Sequence, residues 1–221
     1  WLDEFCEEIQ RRGVERAPDF ITVDSADGGT GAAPMPLIDY VGLPIWESLP
    51  MLCDILARYG LKKRIRVIAS GKLINPAEVA WALCVGADFV TSARGFMFAL
   101  GCIQSLQCNK NTCPTGIATH KKKLQRGLDV TDKSERVRRY AERVSHEVCM
   151  IAHSCGCDEP RKLTREQARI MGPSGVSVSL AEYYERWSAP HSIHALNGID
   201  RPKFEHAGLQ GSGISTGTAA D

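Results

Sequence analysis

Three cysteines stand close together in this chain, as Cys102-x5-Cys108-x4-Cys113, and Pro114 follows the last of them. Thiolate is the usual ligand of iron–sulfur clusters, and three thiols within twelve residues suit such a cluster. A structural zinc site would instead show paired C-x2–4-C spacing and a fourth ligand. Three ligands leave one corner of a cubane without a protein owner, which favours a three-iron cluster over a closed four-iron one. Three unrelated structural cysteines are the plainer alternative.

Three loops rich in small residues add to this. Asp27-Gly28-Gly29-Thr30-Gly31-Ala32-Ala33-Pro34 would let a flat ring lie against backbone, with Asp27 or Thr30 at its polar edge; a compact surface loop is the competing reading. Gly71 with Lys72, and Arg94 with Gly95, each combine backbone N–H donors with a fixed positive charge, which fits a phosphate clamp. The same residues also fit ordinary tight turns carrying a solvated Lys or Arg.

The remaining thiols read differently. Nine cysteines, an odd count at irregular spacing with no signal peptide opening the chain, argue against a disulfide framework. Cys6, Cys53 and Cys84 fall in apolar periodic stretches, where cysteine acts as a small hydrophobe. Cys155-Gly156-Cys157 has no partner His or Cys nearby and receives no role. Between Lys121 and Arg143 there are nine Lys or Arg against four Asp or Glu, read first as a solvated helix face and second as a dock for an acidic electron-transfer partner. The histidines show no ligand pattern, no Ser/His/Asp set can be assembled, and no catalytic residue is assigned.

These residues need elements to hold them. Apolar residues at 2, 5, 6 and 9 predict an opening helix that stops at Gly13, and Phe20–Val23 predicts a short strand. A helix over 49–59, a strand over 65–69, a helix over 76–85 capped by Asn75, a strand over 88–91 and a helix from Phe96 follow. Strands alternating with helices predict an α/β chain with a parallel sheet, and each glycine-rich loop follows a strand. Beyond the cysteines, a long helix over 134–153 and an amphipathic piece over 180–187 are expected. The Gly-, Ser- and Ala-rich end of the chain predicts a disordered tail, 188–221.

Composition sets the outer bounds. The chain has 221 residues, 43% hydrophobic and 24% charged, the mix of a globular protein with a real core. A net charge of +1 gives no general attraction to nucleic acid or membrane. No apolar run reaches the roughly 18 residues of a membrane span, so a cytoplasmic location is expected.

Taken in order, Asp27–Pro34, then Gly86-Ala87-Asp88, then Ala99-Leu100-Gly101-Cys102 through Cys108-Asn109-Lys110-Asn111-Thr112-Cys113-Pro114-Thr115-Gly116-Ile117-Ala118-Thr119, the chain resembles the FMN-binding domain of glutamate synthase. More narrowly it is similar to the shorter FMN-binding family proteins that lack a glutamine amidotransferase domain. The resemblance covers about 1–187, with a cluster loop at 102–119. It implies the C-terminal portion of an FMN-binding (β/α)8 barrel, about strands six to eight, with an iron–sulfur loop and C-terminal helices.

The family reaction is reductive amination of 2-oxoglutarate, through 2-iminoglutarate, to glutamate. Carried over by position, Cys102, Cys108 and Cys113 match the ligands of a [3Fe-4S] cluster. Ser70, Gly71 and Lys72, with Ala93, Arg94 and Gly95, match the FMN phosphate loops, and Asp27, Gly28, Gly29, Thr30 and Gly31 lie beside the flavin. Five further βα units stand upstream in the family barrel. The 221 residues alone are therefore expected neither to bind FMN tightly nor to turn over. A complementary barrel segment or chain, an electron-donor protein or NAD(P)H-oxidising subunit, and 2-oxoglutarate with ammonia are the expected partners. Two other readings stay open: an FMN oxidoreductase acting on another imine or carbonyl, and a non-catalytic cluster-binding or subunit module.

Overall fold

The structure, a computed structural model, describes residues 1–26, 35–37, 41–171 and 175–188. The glycine-rich run 27–34 and the tail from 189 onward lie outside the described residues.

Alternation of strand and helix builds the expected layers. Helix α1 (Leu2–Arg12) buries Cys6 and Ile9 and precedes strand β1 (Phe20–Asp24). Helix α2 (Ile45–Arg58), strand β2 (Arg66–Ser70), helix α3 (Pro76–Val85) and strand β3 (Phe89–Thr91) follow. The strands form one parallel sheet in the order β1-β2-β3, so α2 and α3 are crossovers between neighbouring strands. Val67 and Ala69 of β2 are fully buried and join Leu49 and Leu56 of α2, with Leu61 and Ile65 of the connecting turn, in the main core. The alternate residues point the other way: Phe20 and Phe89 are exposed, and Ile68 is only half-buried. One sheet face is thus packed by helices, while the other is largely open among the described residues, with the Arg161 guanidinium 5.0 Å over the Phe89 ring at its edge. In parallel sheets both faces are ordinarily covered.

Helix α4 (Ala93–Leu100) leads into the cysteine loop. The short α5 (Lys122–Gln125) and the 25-residue α6 (Val130–Ser154) come next. An antiparallel pair, β4 (Arg169–Met171) with β5 (Ser177–Ser179), then leads into α7 (Leu180–Ser188). No described helix is long and apolar enough to cross a membrane.

The elements differ from the sequence reading in several places, among them α6, which starts at Val130 rather than 134. Helix α2 starts at Ile45 rather than 49, although Pro50 lies in its second turn and cannot bond to the carbonyl of Trp46. The Tyr184 hydroxyl of α7 donates to that carbonyl at 3.2 Å, so the proline leaves no orphaned acceptor. Helix α4 starts at Ala93 rather than Phe96, which turns an expected loop into a helical first turn. The β4–β5 pair is new: three-residue strands are too short to show a period of two.

Asn75 caps α3 as expected, within a reciprocal capping box. Its side-chain oxygen accepts from the Glu78 N–H at 3.0 Å, and the Glu78 carboxylate accepts from the N–H groups of Asn75 and Ile74 at 3.0 and 2.7 Å. Asn75→Ala is expected to lower stability by about 1 kcal/mol, read as a fall in the urea midpoint at unchanged slope.

Candidate functional site

Parallel strands end together, and here they end at one cavity. Asp24, Ser70 and Thr91 close the three strands and stand side by side in register. All three line a cavity of about 460 Å³. Ser70 Oγ donates to the Asp24 carboxylate at 3.0 Å, and Thr91 Oγ1 donates to the Ala69 carbonyl at 3.1 Å. Asp24 and Thr91 were not singled out from sequence; they become visible only once the strand ends are aligned.

The same cavity is lined by Gly71 and Lys72 on one side, Ala93 and Arg94 on another, and by Cys102, Cys108 and Cys113. Gly71 approaches its neighbours closely: a Cβ there would stand 2.1 Å from Ser25 Oγ. Lys72 adopts a left-handed backbone (φ 50°), uncommon for a residue with a side chain. Gly95 is buried and does not line the cavity; a Cβ on it would fall 1.8 Å from the Tyr140 hydroxyl oxygen. Its small size makes room for α6.

The cysteine loop is fixed at both ends. Helix α4 stops in a Schellman turn, with Gly101 left-handed, its N–H on the Phe98 carbonyl and the Cys102 N–H on the Met97 carbonyl, both at 2.9 Å. Gln104, Leu106 and Asn111 all take positive φ between Cys102 and Cys113. Thr119 Oγ1 donates to Asn111 Oδ1 at 2.9 Å and its main-chain carbonyl at 2.8 Å, and the His120 N–H reaches Asn111 Oδ1 at 2.7 Å. This clasp closes the segment that carries Cys113. Gly116 (φ 80°) lets the segment lie against α5, since a Cβ there would stand 2.5 Å from the Leu124 carbonyl oxygen.

Cys113 itself is buried, which alone would raise its thiol. The Thr115 hydroxyl, 3.2 Å from its sulfur, and the backbone N–H groups of Ala118, Thr115 and Ile117 outweigh burial and bring it down to about 7. Such donors favour the thiolate, the form that acts as a nucleophile or a metal ligand. Among the described residues no three His, Cys, Asp or Glu side chains converge on a single ion. In a multi-iron cluster each thiolate takes its own iron, so the three cysteines need to share a cavity rather than one point. They do share one. Cys53 and Cys84, by contrast, are pushed up to about 12 and about 11, burial being the leading cause, as inert core thiols would be.

Cys155 and Cys157 lie at the C-terminal end of α6 and do not line the cavity. The basic stretch along α6 is partly self-neutralised: Arg138 pairs with Glu135 and Glu142, and Arg139 with Glu135. That is the solvated helix face read from the sequence.

Comparison with known proteins bears on this arrangement. A family model described as "Conserved region in glutamate synthase" matches residues 4–158. The chain belongs to the glutamate synthase family. It is 44% identical over 179 residues to the glutamate synthase large subunit-like protein YerD of Bacillus subtilis, covering 81% of this chain and 34% of that protein. It is 33% identical over 154 residues to the archaeal glutamate synthase [NADPH] of Methanocaldococcus jannaschii, covering 70% of this chain and 30% of that protein. The chain thus spans about a third of the length of these curated relatives. A point mutant of flavocytochrome b2 with benzoylformate aligns over 98% of this chain and 46% of its own, at a TM-score of 0.38 and 18% identity, too low to carry an argument.

Proposed function

We propose that this chain is the cofactor-holding C-terminal portion of a glutamate synthase-type oxidoreductase that reductively aminates 2-oxoglutarate. The observation that carries the reading is one cavity at the strand ends lined jointly by Ser70, Gly71, Lys72, Ala93 and Arg94 and by the three cysteines. Its volume lies within the range of small-molecule and cofactor sites. The largely open face of the sheet supports further strands completing a barrel, and family membership supports the reaction class.

In this reading Cys102, Cys108 and Cys113 hold a three-iron cluster, and Lys72 and Arg94 hold the phosphate of FMN with the N–H groups of the α4 first turn. Bound there, the flavin would supply hydride chemistry and the cluster one-electron transfer. The protein's own part is orientation and charge. Lys72 and Arg94 neutralise the phosphate, and the left-handed turn at Lys72 and the first turn of α4 hold the donors in place before the ligand arrives. Met97, Phe98, Ile103 and Leu106 give the cavity an apolar lining against which a flavin ring could pack.

A charge-assisted contact to phosphate contributes about 1.5–3 kcal/mol. Lys72→Ala and Arg94→Ala should each weaken FMN binding to the full-length apoprotein by about ten-fold or more, measured by fluorescence titration. Unchanged affinity in both variants would remove the clamp.

A further inference from the structure

Tyr140 lies on α6, well away in sequence from both loops that reach the phosphate end of the cavity, yet its hydroxyl touches both. It donates to the main-chain carbonyl of Ile74, in the turn after β2, at 2.6 Å. A carbonyl can only accept, so the tyrosine proton is committed there, and Ser92 must donate in the 2.8 Å contact between Ser92 Oγ and Tyr140 Oη. The ring is fixed edge-on against Phe96 of α4, with centroids 5.0 Å apart and planes at 84°. Gly95 leaves the space that the hydroxyl occupies.

Ser92 is the N-cap residue of α4, a position where a serine side chain ordinarily accepts from the N–H groups of its own helix. Here it makes no such bond. Its hydroxyl is turned to Tyr140 instead, and the first turn of α4, with Ala93 and Arg94, faces the cavity without a side-chain cap from Ser92.

We infer that Tyr140 is a positioning residue for the phosphate end of this site. Resting on the FMN reading above, its hydroxyl bridges the Gly71–Ile74 turn to the start of α4 and holds Ser92 away from the helix N–H groups. Those donors are thereby kept for the ligand phosphate. Without the hydroxyl, Ser92 is free to rotate onto its own helix and compete with the phosphate for the same N–H groups, while the two loops lose their common anchor.

The test compares FMN with riboflavin, which shares the ring but lacks the phosphate, by fluorescence titration of the full-length apoprotein. Tyr140→Phe keeps the ring and its packing on Phe96. It should weaken FMN binding about ten-fold while changing riboflavin binding less than two-fold. Adding Ser92→Ala to Tyr140→Phe removes the competing cap and should restore FMN affinity at least three-fold relative to Tyr140→Phe. Thermal melts of each apoprotein check that the fold persists. Equal weakening of both flavins, no weakening of either, or no recovery in the double variant would each overturn the role. A wild-type protein that binds neither flavin overturns the FMN reading and this role with it. Wild-type binding with an unselective Tyr140→Phe overturns the role alone.

Discussion

Cys108→Ser is expected to strip most of the iron and the broad visible absorption from the full-length protein, while Cys155→Ser leaves both in place. The contrast rests on position. Cys102, Cys108 and Cys113 line one cavity, on a loop whose ends are fixed by the Gly101 turn and the Asn111–Thr119 clasp. Cys155 is exposed, follows the last turn of α6 and lies outside that cavity. Losing one of three thiolate ligands leaves an iron without its protein anchor, and such a cluster is labile. Serine is nearly isosteric, so the fold of the loop should survive and the loss can be assigned to ligation. Iron per chain and the visible spectrum of both variants decide the matter. Full iron in both would mean that the three thiols share a cavity without sharing a cluster.

The second large effect concerns stability. Asp88→Ala should lower the unfolding free energy by about 2–3 kcal/mol, because it removes charged hydrogen bonds from a side chain only 16% exposed. The Asp88 carboxylate accepts from Lys62 Nζ and from the Val67 N–H, each at 2.8 Å, and pairs with Arg66 at 3.0 Å. It thereby ties the start of β3 to β2 and to the turn after α2. Burial pushes its carboxyl up, but Lys62, the Val67 N–H and Arg66 together outweigh burial and hold it below the usual carboxylate range. A carboxyl lowered in the folded state contributes stability that is fully present above its unfolded value, near pH 4, and is lost as the pH falls through the lower folded value. Asp88→Asn should therefore lose stability at pH 7 and show a shallower decline on acidification than the wild type. Urea unfolding at pH 7 and pH 3 measures both. Parallel pH profiles for the two proteins would show that Asp88 carries none of the acid dependence.

Asp88 also shows that a residue carrying part of a family resemblance can serve the fold rather than the cavity. Gly86-Ala87-Asp88 was part of what made the chain look like glutamate synthase, yet its carboxylate faces Lys62, Arg66 and the β2 backbone rather than the strand-end cavity. Gly95 behaves in the same way: it sits in a phosphate-loop motif, and its observable work is to admit Tyr140.

The sequence by itself determined the parallel α/β order, because Phe20–Val23, the 65–69 run and the 88–91 run are each apolar, brief and separated by helical periodicity. The inert burial of Cys6, Cys53 and Cys84 and the Asn75 cap were equally legible, since both depend on neighbours within a few residues. The cysteine spacing marked the loop for the same reason. Contacts between distant segments were not legible. The registered row of Asp24, Ser70 and Thr91 exists because hydrogen bonding aligns three strands drawn from separate stretches of chain. The Trp46 carbonyl in the first turn of α2, which Pro50 cannot bond, is satisfied by Tyr184, 138 positions away from Trp46. Tyr140 reaches Ile74 across 66 positions through a hydroxyl whose partners no local pattern announces. Periodicity and turn chemistry act along the chain and can be read there; which loops share a cavity, and which side chain holds them together, is decided by packing between elements that are remote in sequence.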